Sequence, residues 1–230
     1  MGTAKKSAFT GSASVLKSEE IGKIQTSNAM STLAGKAAGV QLSTASGQPG
    51  VSTPEIRIRG ISSINAKSTP LIILDGSPFD GDMNSINTQD IESMTVLKDA
   101  ASNALYGARG ANGVIMITTK KGREGAARVD FSSNITLETP LTAPKLQGRY
   151  GAVKTGDQLS AMSWGEKIAD NDSKAKDRLN DFFRVGSTYI NSVTINGGTE
   201  KAQSFLSYAN TSAIGMMPEN TFYRHNMTAR

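Results

Sequence analysis

The stretch from Arg128 to Glu138 alternates between apolar and polar side chains almost without interruption. Its apolar positions are Val129, Phe131, Ile135 and Leu137, with Ser133 as the one polar residue among them. Because successive side chains of a strand point to opposite faces, this pattern predicts a strand with one apolar and one polar face. A strand of this length fits both a transmembrane β-barrel and a water-soluble β-sandwich.

Three later segments repeat the alternation less cleanly. They are Tyr189–Asn196, Gln203–Thr211 and Thr221–Arg230. The segment Thr139–Thr188 separates the first two strands by a long connection, whereas Gly197–Ala202 is a short one. Outer-membrane barrels have long extracellular loops and short periplasmic turns, so the connection lengths favour the barrel over the sandwich.

The residue inventory excludes several classes of chemistry. The chain of 230 residues has no cysteine, which excludes disulfides, cysteine-based zinc sites and a thiol nucleophile. Its single histidine, His225, has no acid or nucleophile motif beside it, so we expect no enzyme activity. A net charge of +5 without a dense basic block argues against nucleic-acid binding.

The sequence shows neither a secretory signal nor a membrane helix. Residues 1–20 lack an apolar region, and no apolar run approaches the roughly 18–20 residues that a spanning helix needs. These observations alone indicate a soluble protein. The alternating segments of the second half contradict that interpretation, because a barrel crosses the membrane without a long apolar run.

The first half is predicted to be a compact α+β unit. Hydrophobic spacing and turn signals give the order helix, helix, strand, strand, strand, helix, strand. The segments are Ser18–Ile24, Asn28–Ala34, Glu55–Arg59, Pro70–Leu74, Ile91–Lys98, Ala100–Tyr106 and Val114–Thr119.

Two motifs in this half suggest ligands but fail closer inspection. The glycine loop Gly107–Gly113 runs from a predicted helix to a strand, whereas a dinucleotide loop runs from strand to helix. Asp75, Asp80 and Asp82 lie close together but lack the spacing and final glutamate of an EF-hand. We therefore expect no cofactor and no metal, and we read the aspartates as turn residues.

Five motifs follow each other in the first half in a fixed order. They are Glu55-Ile-Arg-Ile-Arg-Gly60, Leu71-Ile-Ile-Leu-Asp-Gly76, Asp90-Ile-Glu-Ser93, Val96-Leu-Lys-Asp-Ala-Ala101 with Ala104-Leu-Tyr-Gly107, and Ala111-Asn-Gly-Val114 leading to Gly122. Together they closely resemble the plug domain of TonB-dependent outer-membrane transporters, and in particular the SusC/RagA type of Bacteroidota. The resemblance covers about residues 2–125.

The resemblance implies two domains. Residues 1–125 would form an α+β plug, a small mixed sheet with short helices. Residues 126–230 would form the first four or so antiparallel strands of an outer-membrane barrel of about 22 strands, with residues 139–188 as a long extracellular loop. The TonB-recognition box, the signal peptide and most of the barrel would then lie outside the 230 residues, which would make the chain a fragment.

The implied function is import of glycan or peptide nutrients, with the plug gating the barrel in the cell outer membrane. The implied partners are the TonB complex, a SusD-like surface lipoprotein, the glycan or peptide substrate and outer-membrane lipid. No cofactor is implied. The alternative is a stand-alone soluble binding module with a plug-like fold and no transport, which membrane fractionation would distinguish.

The resemblance also marks residues of the plug motifs for a structural or gating role. These are Arg57, Arg59, Gly60, Asp75, Gly76, Lys98, Asp99, Tyr106, Gly107, Asn112 and Gly113. Arg57 and Arg59 are expected to contact the inner barrel wall, with a solvated strand edge as the alternative. In the long loop, Tyr150 and Trp164 are candidates for ligand contact by ring stacking, unless they only fold the loop onto itself.

Overall fold

The architecture was analysed in a computed structural model of the chain. The structure describes residues 13–23, 28–44, 46, 48–50, 54–58, 60, 69–98, 106–141, 147, 149–168 and 182–230. None of the helices within these ranges is both long and apolar enough to cross a membrane.

The first half forms a mixed sheet, the N-terminal sheet, and a separate hairpin. The elements are β1 (Ala13–Lys17), α1 (Ser18–Gly22), β2 (Val40–Ser43), β3 (Glu55–Ile58), β4 (Leu71–Leu74), β5 (Ser77–Pro78), β6 (Ile91–Leu97) and β7 (Val114–Thr119). The sheet has the order β1-β6-β7-β4-β5, in which β4 and β7 are parallel and the other pairs are antiparallel. Strands β2 and β3 pair with each other. This is the small mixed sheet that the resemblance implies.

One apolar core holds this half together. Met94 and Val96 of β6 and Ile115 and Ile117 of β7 are almost fully buried, and Ile21 of α1 packs into the same cluster. Burying an aliphatic side chain of this size contributes about 1.5–3 kcal/mol, so this cluster is the main source of stability of the unit.

The second predicted helix is a 3-10 helix, Ala29–Leu33. The Asn28 side chain accepts a hydrogen bond from the Met30 amide, and the Thr32 hydroxyl donates to the Ala29 carbonyl at 2.6 Å. These local bonds favour the tight turn over an α-helix. Most of the predicted helix Ala100–Tyr106 lies outside the described residues. The strands β1, β2 and β5 were not predicted.

The second half forms the C-terminal sheet, a four-stranded antiparallel meander. The strands of this half are β8 (Gly125–Glu138), β9 (Tyr150–Thr155), β10 (Gln158–Lys167), β11 (Gly186–Gly198), β12 (Gln203–Ile214) and β13 (Thr221–Ala229). The C-terminal sheet has the order β13-β12-β11-β8. All four alternating segments of the sequence are therefore strands, each close to its predicted position.

Strands β9 and β10 pair with each other as a hairpin within the segment 139–188. This hairpin was not predicted, because its residues show no sustained alternation.

The two faces of the C-terminal sheet are inverted relative to a soluble protein. One face is exposed and largely apolar, with Phe131 69%, Leu137 68% and Met227 76% exposed. The opposite face is rich in hydroxyl side chains and is buried along β12, where Ser207 and Thr211 are each 1% exposed. Water favours the reverse arrangement, so the exposed face is suited to an apolar surrounding.

Candidate functional site

Polar contacts join the buried face of the C-terminal sheet to the N-terminal half. We call this contact region the seam. It is formed by Asp75, Asn84, Ser85, Asp90 and Lys121 to Arg123 on one side, and by Asn196, Ser207, Arg224, Asn226, Thr228 and Arg230 on the other.

Asp90 lies at the centre of the seam and is 3% exposed. Its Oδ2 atom accepts hydrogen bonds from the hydroxyls of Ser207 and Thr228, at 2.7 and 2.8 Å. Its Oδ1 atom accepts from Asn87 Nδ2 at 3.2 Å. One buried carboxylate thus binds β12 and β13 to the turn that precedes β6.

Strand β13 also binds the backbone of the 3-10 helix Met83–Ser85. Arg224 Nη1 donates to the Asn84 carbonyl at 2.6 Å, and Asn226 Nδ2 donates to the Ser85 carbonyl at 2.8 Å. Arg224 Nε and Asn226 Oδ1 are buried and have no partner among the described residues. Backbone contacts of this kind fix position without depending on the side chains of the helix.

Gly50 allows a close approach of the two halves. The Phe222 ring lies where a Cβ atom on residue 50 would stand, and Gly50 has a φ of +77°. A side chain at this position would meet both a steric clash and a strained backbone. The contact therefore requires glycine.

Asp75 links β7 and the C-terminal end of β13. Its carboxylate accepts hydrogen bonds from the Thr119 amide and hydroxyl, both at 2.8 Å, and pairs with Arg230 Nη1 at 2.7 Å. Burial raises the pKa of Asp75, but the hydrogen bonds from Thr119 and the charge of Arg230 outweigh it. The net pKa lies below the ordinary value of 3.8.

This lowered pKa predicts an acid-sensitive contribution to stability. A carboxyl whose pKa is depressed by folding stabilises the fold above its unfolded pKa, and this contribution is lost as the pH falls through the folded pKa. We expect the stability difference between the parent and Asp75→Asn to shrink as the pH falls from about 6 to about 2. Urea unfolding at each pH measures it. Asp80→Asn, at an exposed side chain, should give a difference near zero throughout. A parent–Asp75→Asn difference that does not change with pH would contradict this role.

Asn196 ties the start of β8 to the end of β11. Its Oδ1 atom accepts from the Arg123 amide at 2.8 Å, and its Nδ2 atom donates to the Lys121 carbonyl at 3.4 Å. Nearby, burial lowers the pKa of Lys120, and the charges of Asp90 and Asp130 partly oppose this. Asn196 therefore fixes the linker that joins the two sheets to the end of β11.

The plug-motif residues occupy several different places. Arg57 pairs with Glu55 of its own strand at 3.0 Å, and Lys98 donates to the Ser14 hydroxyl at 2.7 Å. A wall contact of Arg57 remains a prediction, and Arg59 and Asp99 lie outside the described residues. Of the residues marked for a structural or gating role, Asp75 reaches the seam through its ion pair with Arg230.

The motif glycines shape backbone turns. Gly60, Gly76, Gly107 and Gly113 all have positive φ angles. At Gly113 a Cβ atom would lie 2.7 Å from Ile58 Cδ1, so this position tolerates no side chain. Tyr106 precedes the turn at Gly107 and packs on the small cluster of Ile73, Leu97 and Val114, and Asn112 lies in the same turn.

Tyr150 and Trp164 come together on the hairpin of β9 and β10. Their ring centroids are 5.4 Å apart and the rings are tilted by 41°. Trp164 is 69% exposed, so the pair leaves most of the indole open to solvent. The pairing agrees with the structural alternative, and the exposure leaves a role in ligand contact as a proposal.

Most residues of the seam were missed from the sequence. Asp90 belongs to the motif Asp90-Ile-Glu-Ser93, but the resemblance assigns it no role. In the sequence, Ser207 and Thr228 are only polar residues within alternating segments. The parity of those strands is the signal that marks the two hydroxyls as facing the same side. Within the described ranges, no three His, Cys, Asp or Glu residues group as metal ligands do.

Comparison with known families places the chain. Residues 5–114 match the family model described as the TonB-dependent receptor plug domain. The TonB-dependent receptor SusC of Bacteroides thetaiotaomicron is 38% identical over 97% of the chain, and receptor P3 of Formosa agariphila is 39% identical over 90%. The chain spans 23% and 20% of those two proteins.

A solved structure agrees with these relatives. The RagAB peptide importer in its open-open state matches 95% of the chain with a TM-score of 0.75 and 28% identity, and the match covers 28% of that protein's chain. Its closed-closed state gives a TM-score of 0.74. The match extends well beyond the 110 or so residues of the plug model. The chain therefore belongs to the TonB-dependent receptors, and within them to the SusC/RagA type.

Proposed function

We propose that the chain carries the plug and the adjoining wall strands of a TonB-dependent outer-membrane importer for glycan or peptide nutrients. The observation that carries the proposal is the inverted C-terminal sheet. Its apolar face, which includes Phe131 and Leu137, is exposed, and its hydroxyl-rich face covers the plug. A barrel wall between lipid and a plugged lumen needs this arrangement, and a water-soluble binding module does not.

In this proposal the C-terminal sheet is part of the barrel wall and the seam is where the plug is seated. The wall offers hydroxyl, amide and guanidinium groups, and the plug offers the carboxylates of Asp75 and Asp90 and backbone carbonyls. Each contact is a hydrogen bond that can be broken and made again, so the seat is specific but reversible. Opening requires breaking several of these bonds, and energy from a TonB complex in the inner membrane would supply the work.

The cargo and the surface partner follow from the relatives. One solved relative is a peptide importer, and the curated relative from Bacteroides thetaiotaomicron is the receptor SusC. We therefore propose a glycan or peptide cargo and a SusD-like lipoprotein at the cell surface. Tyr150 and Trp164 would lie on the outer side and contact one of the two through the exposed indole.

Uptake by cells tests the proposal. Deleting the whole gene in its host should abolish growth on one class of oligosaccharide or peptide, and the full-length gene should restore it. Collapsing the proton gradient should stop uptake without removing the protein from the outer membrane. Unchanged growth of the deletion strain on every oligomer, or a gene product found only in the soluble fraction, would refute the proposal.

A further inference from the structure

A single row of polar side chains crosses the exposed apolar face of the C-terminal sheet. It consists of Ser133, Asn191, Asn210 and His225, one residue from each strand. The strand register places Ser133 opposite Asn191, Asn191 opposite Asn210, and Asn210 opposite His225. All four therefore lie side by side on the same face.

The rows on either side of this polar row are mostly apolar or aromatic. One contains Phe131, Val193, Tyr208 and Met227, and the other contains Ile135, Tyr189, Ser212 and Tyr223. A row of amides, a hydroxyl and an imidazole between them is out of keeping with a lipid-facing surface. Polar groups at such a position cost free energy unless they bond to each other.

The polar side chains do bond to each other across the strands. Ser133 Oγ donates to Asn191 Oδ1 at 2.7 Å, which joins β8 to β11. His225 Nδ1 lies 2.8 Å from Tyr208 Oη and 3.2 Å from Asn210 Nδ2, which joins β13 to β12. The His225 ring can therefore bond to both side chains of β12.

The alternation of apolar and polar side chains does not exclude every wrong strand register. A slip of one residue turns the apolar face inward and is strongly disfavoured, but a slip of two residues keeps every side chain on its face. With a two-residue slip between β12 and β13, Asn210 would lie opposite Tyr223 or Met227 instead of His225. Between β8 and β11, Ser133 would lie opposite Tyr189 or Val193. Both pairs would be broken: Ser133, Asn191 and Asn210 would then lie opposite apolar or aromatic residues, and His225 would lie opposite Tyr208 or Ser212.

We propose that Ser133, Asn191, Asn210 and His225 form a register lock for the first strands of the wall. The lock disfavours two-residue slips between β8 and β11 and between β12 and β13, because only the native register pairs Ser133 with Asn191 and Asn210 with His225. A single buried polar residue fixes the register of some coiled coils by the same physics. The inference rests on the proposed membrane function, since in water the slipped side chains would be solvated.

Cysteine cross-linking in the full-length protein tests the lock, in a background without other cysteines. Ser212→Cys with Tyr223→Cys reports the native register, because these residues lie directly opposite each other. Ser212→Cys with Thr221→Cys, and Ile214→Cys with Tyr223→Cys, report the two slipped registers. Opposed residues are within disulfide reach, and residues displaced by two positions are not.

The register lock predicts a specific pattern of cross-links. Asn210→Leu with His225→Leu should raise the slipped cross-links about tenfold, because two hydrogen bonds no longer select the register. The exchange of Asn210→His with His225→Asn should keep the native cross-link, since both groups can still bond. Leu206→Ile with Met227→Leu, a double change on the same face that leaves the polar row intact, should also keep it.

The possible outcomes distinguish a failure of the register lock from a failure of the proposed function. If the leucine pair inserts and gives only the native cross-link, or if the exchanged pair slips as much as the leucine pair, the lock is refuted. If the leucine pair fails to insert while the exchanged pair inserts normally, the lock is supported. A parent protein that is absent from the membrane fraction would refute the proposed function and, with it, the need for a lock.

Discussion

Asp90→Ala should separate the plug from the C-terminal sheet and lower the free energy of unfolding by about 3 kcal/mol or more, since hydrogen bonds to a charged group contribute about 1.5–3 kcal/mol each. The substitution removes the acceptor of the Ser207 and Thr228 hydroxyls and leaves Ser207 buried without it. Denaturant unfolding and limited proteolysis of the seam measure the two effects. The plug should be cleaved faster while the sheet stays intact.

Two further variants test whether the loss of stability is specific to the carboxylate of Asp90. Asp90→Asn keeps the shape but replaces one acceptor oxygen by a donor, so it should fall between the parent and Asp90→Ala. Asp80→Ala, at a side chain that is 86% exposed, should remain within about 0.5 kcal/mol of the parent. If Asp90→Ala also unfolds within that margin, Asp90 does not hold the plug in place.

Ile135→Arg should prevent stable insertion into the outer membrane, whereas Thr136→Arg should not. Ile135 is 61% exposed on the apolar face of β8, and its neighbour Thr136 lies on the opposite face. An arginine on the lipid side of a barrel costs about 2–4 kcal/mol near the middle of the membrane, and one on the lumen side is tolerated. The yield of full-length protein in the outer-membrane fraction is the measurement.

The pair of variants places the same arginine at two neighbouring positions of one strand. Equal yields of Ile135→Arg and Thr136→Arg would mean that the two faces of β8 see the same surroundings. A large loss for Thr136→Arg with normal insertion of Ile135→Arg would reverse the assignment of the faces. Either result would contradict a wall with lipid on its apolar side.

The sequence predicts the faces of the C-terminal strands because alternation is a local property. Val129 to Leu137 and their polar neighbours assign the two faces of β8 without knowledge of any other strand. The residues that each face contacts cannot be predicted in this way. Asp90 meets Ser207 and Thr228 across more than 100 residues of sequence, and no local pattern records such a contact.

There are also physical reasons why the sequence does not predict certain elements. Strand β1 has only five residues and continues directly into α1, so its short alternation merges with the helix start at Ser18. The hairpin of β9 and β10 has an irregular register with shifts after Leu159 and Ser163, and a strand with bulges loses its period of two. The 3-10 helix at Ala29–Leu33 depends on side-chain bonds from Asn28 and Thr32, which hydrophobic spacing does not reveal.

The surroundings of each side chain along β8 test most directly whether the C-terminal sheet is a barrel wall. Single cysteines at residues 129 to 137 of the full-length protein, labelled with a fluorophore, can be read out with quenchers attached to lipid acyl chains. A wall with lipid on its apolar side predicts strong quenching at the odd-numbered positions, including Ser133, and weak quenching at the even-numbered ones. Uniform quenching along the strand, or quenching confined to the even-numbered positions, would contradict it.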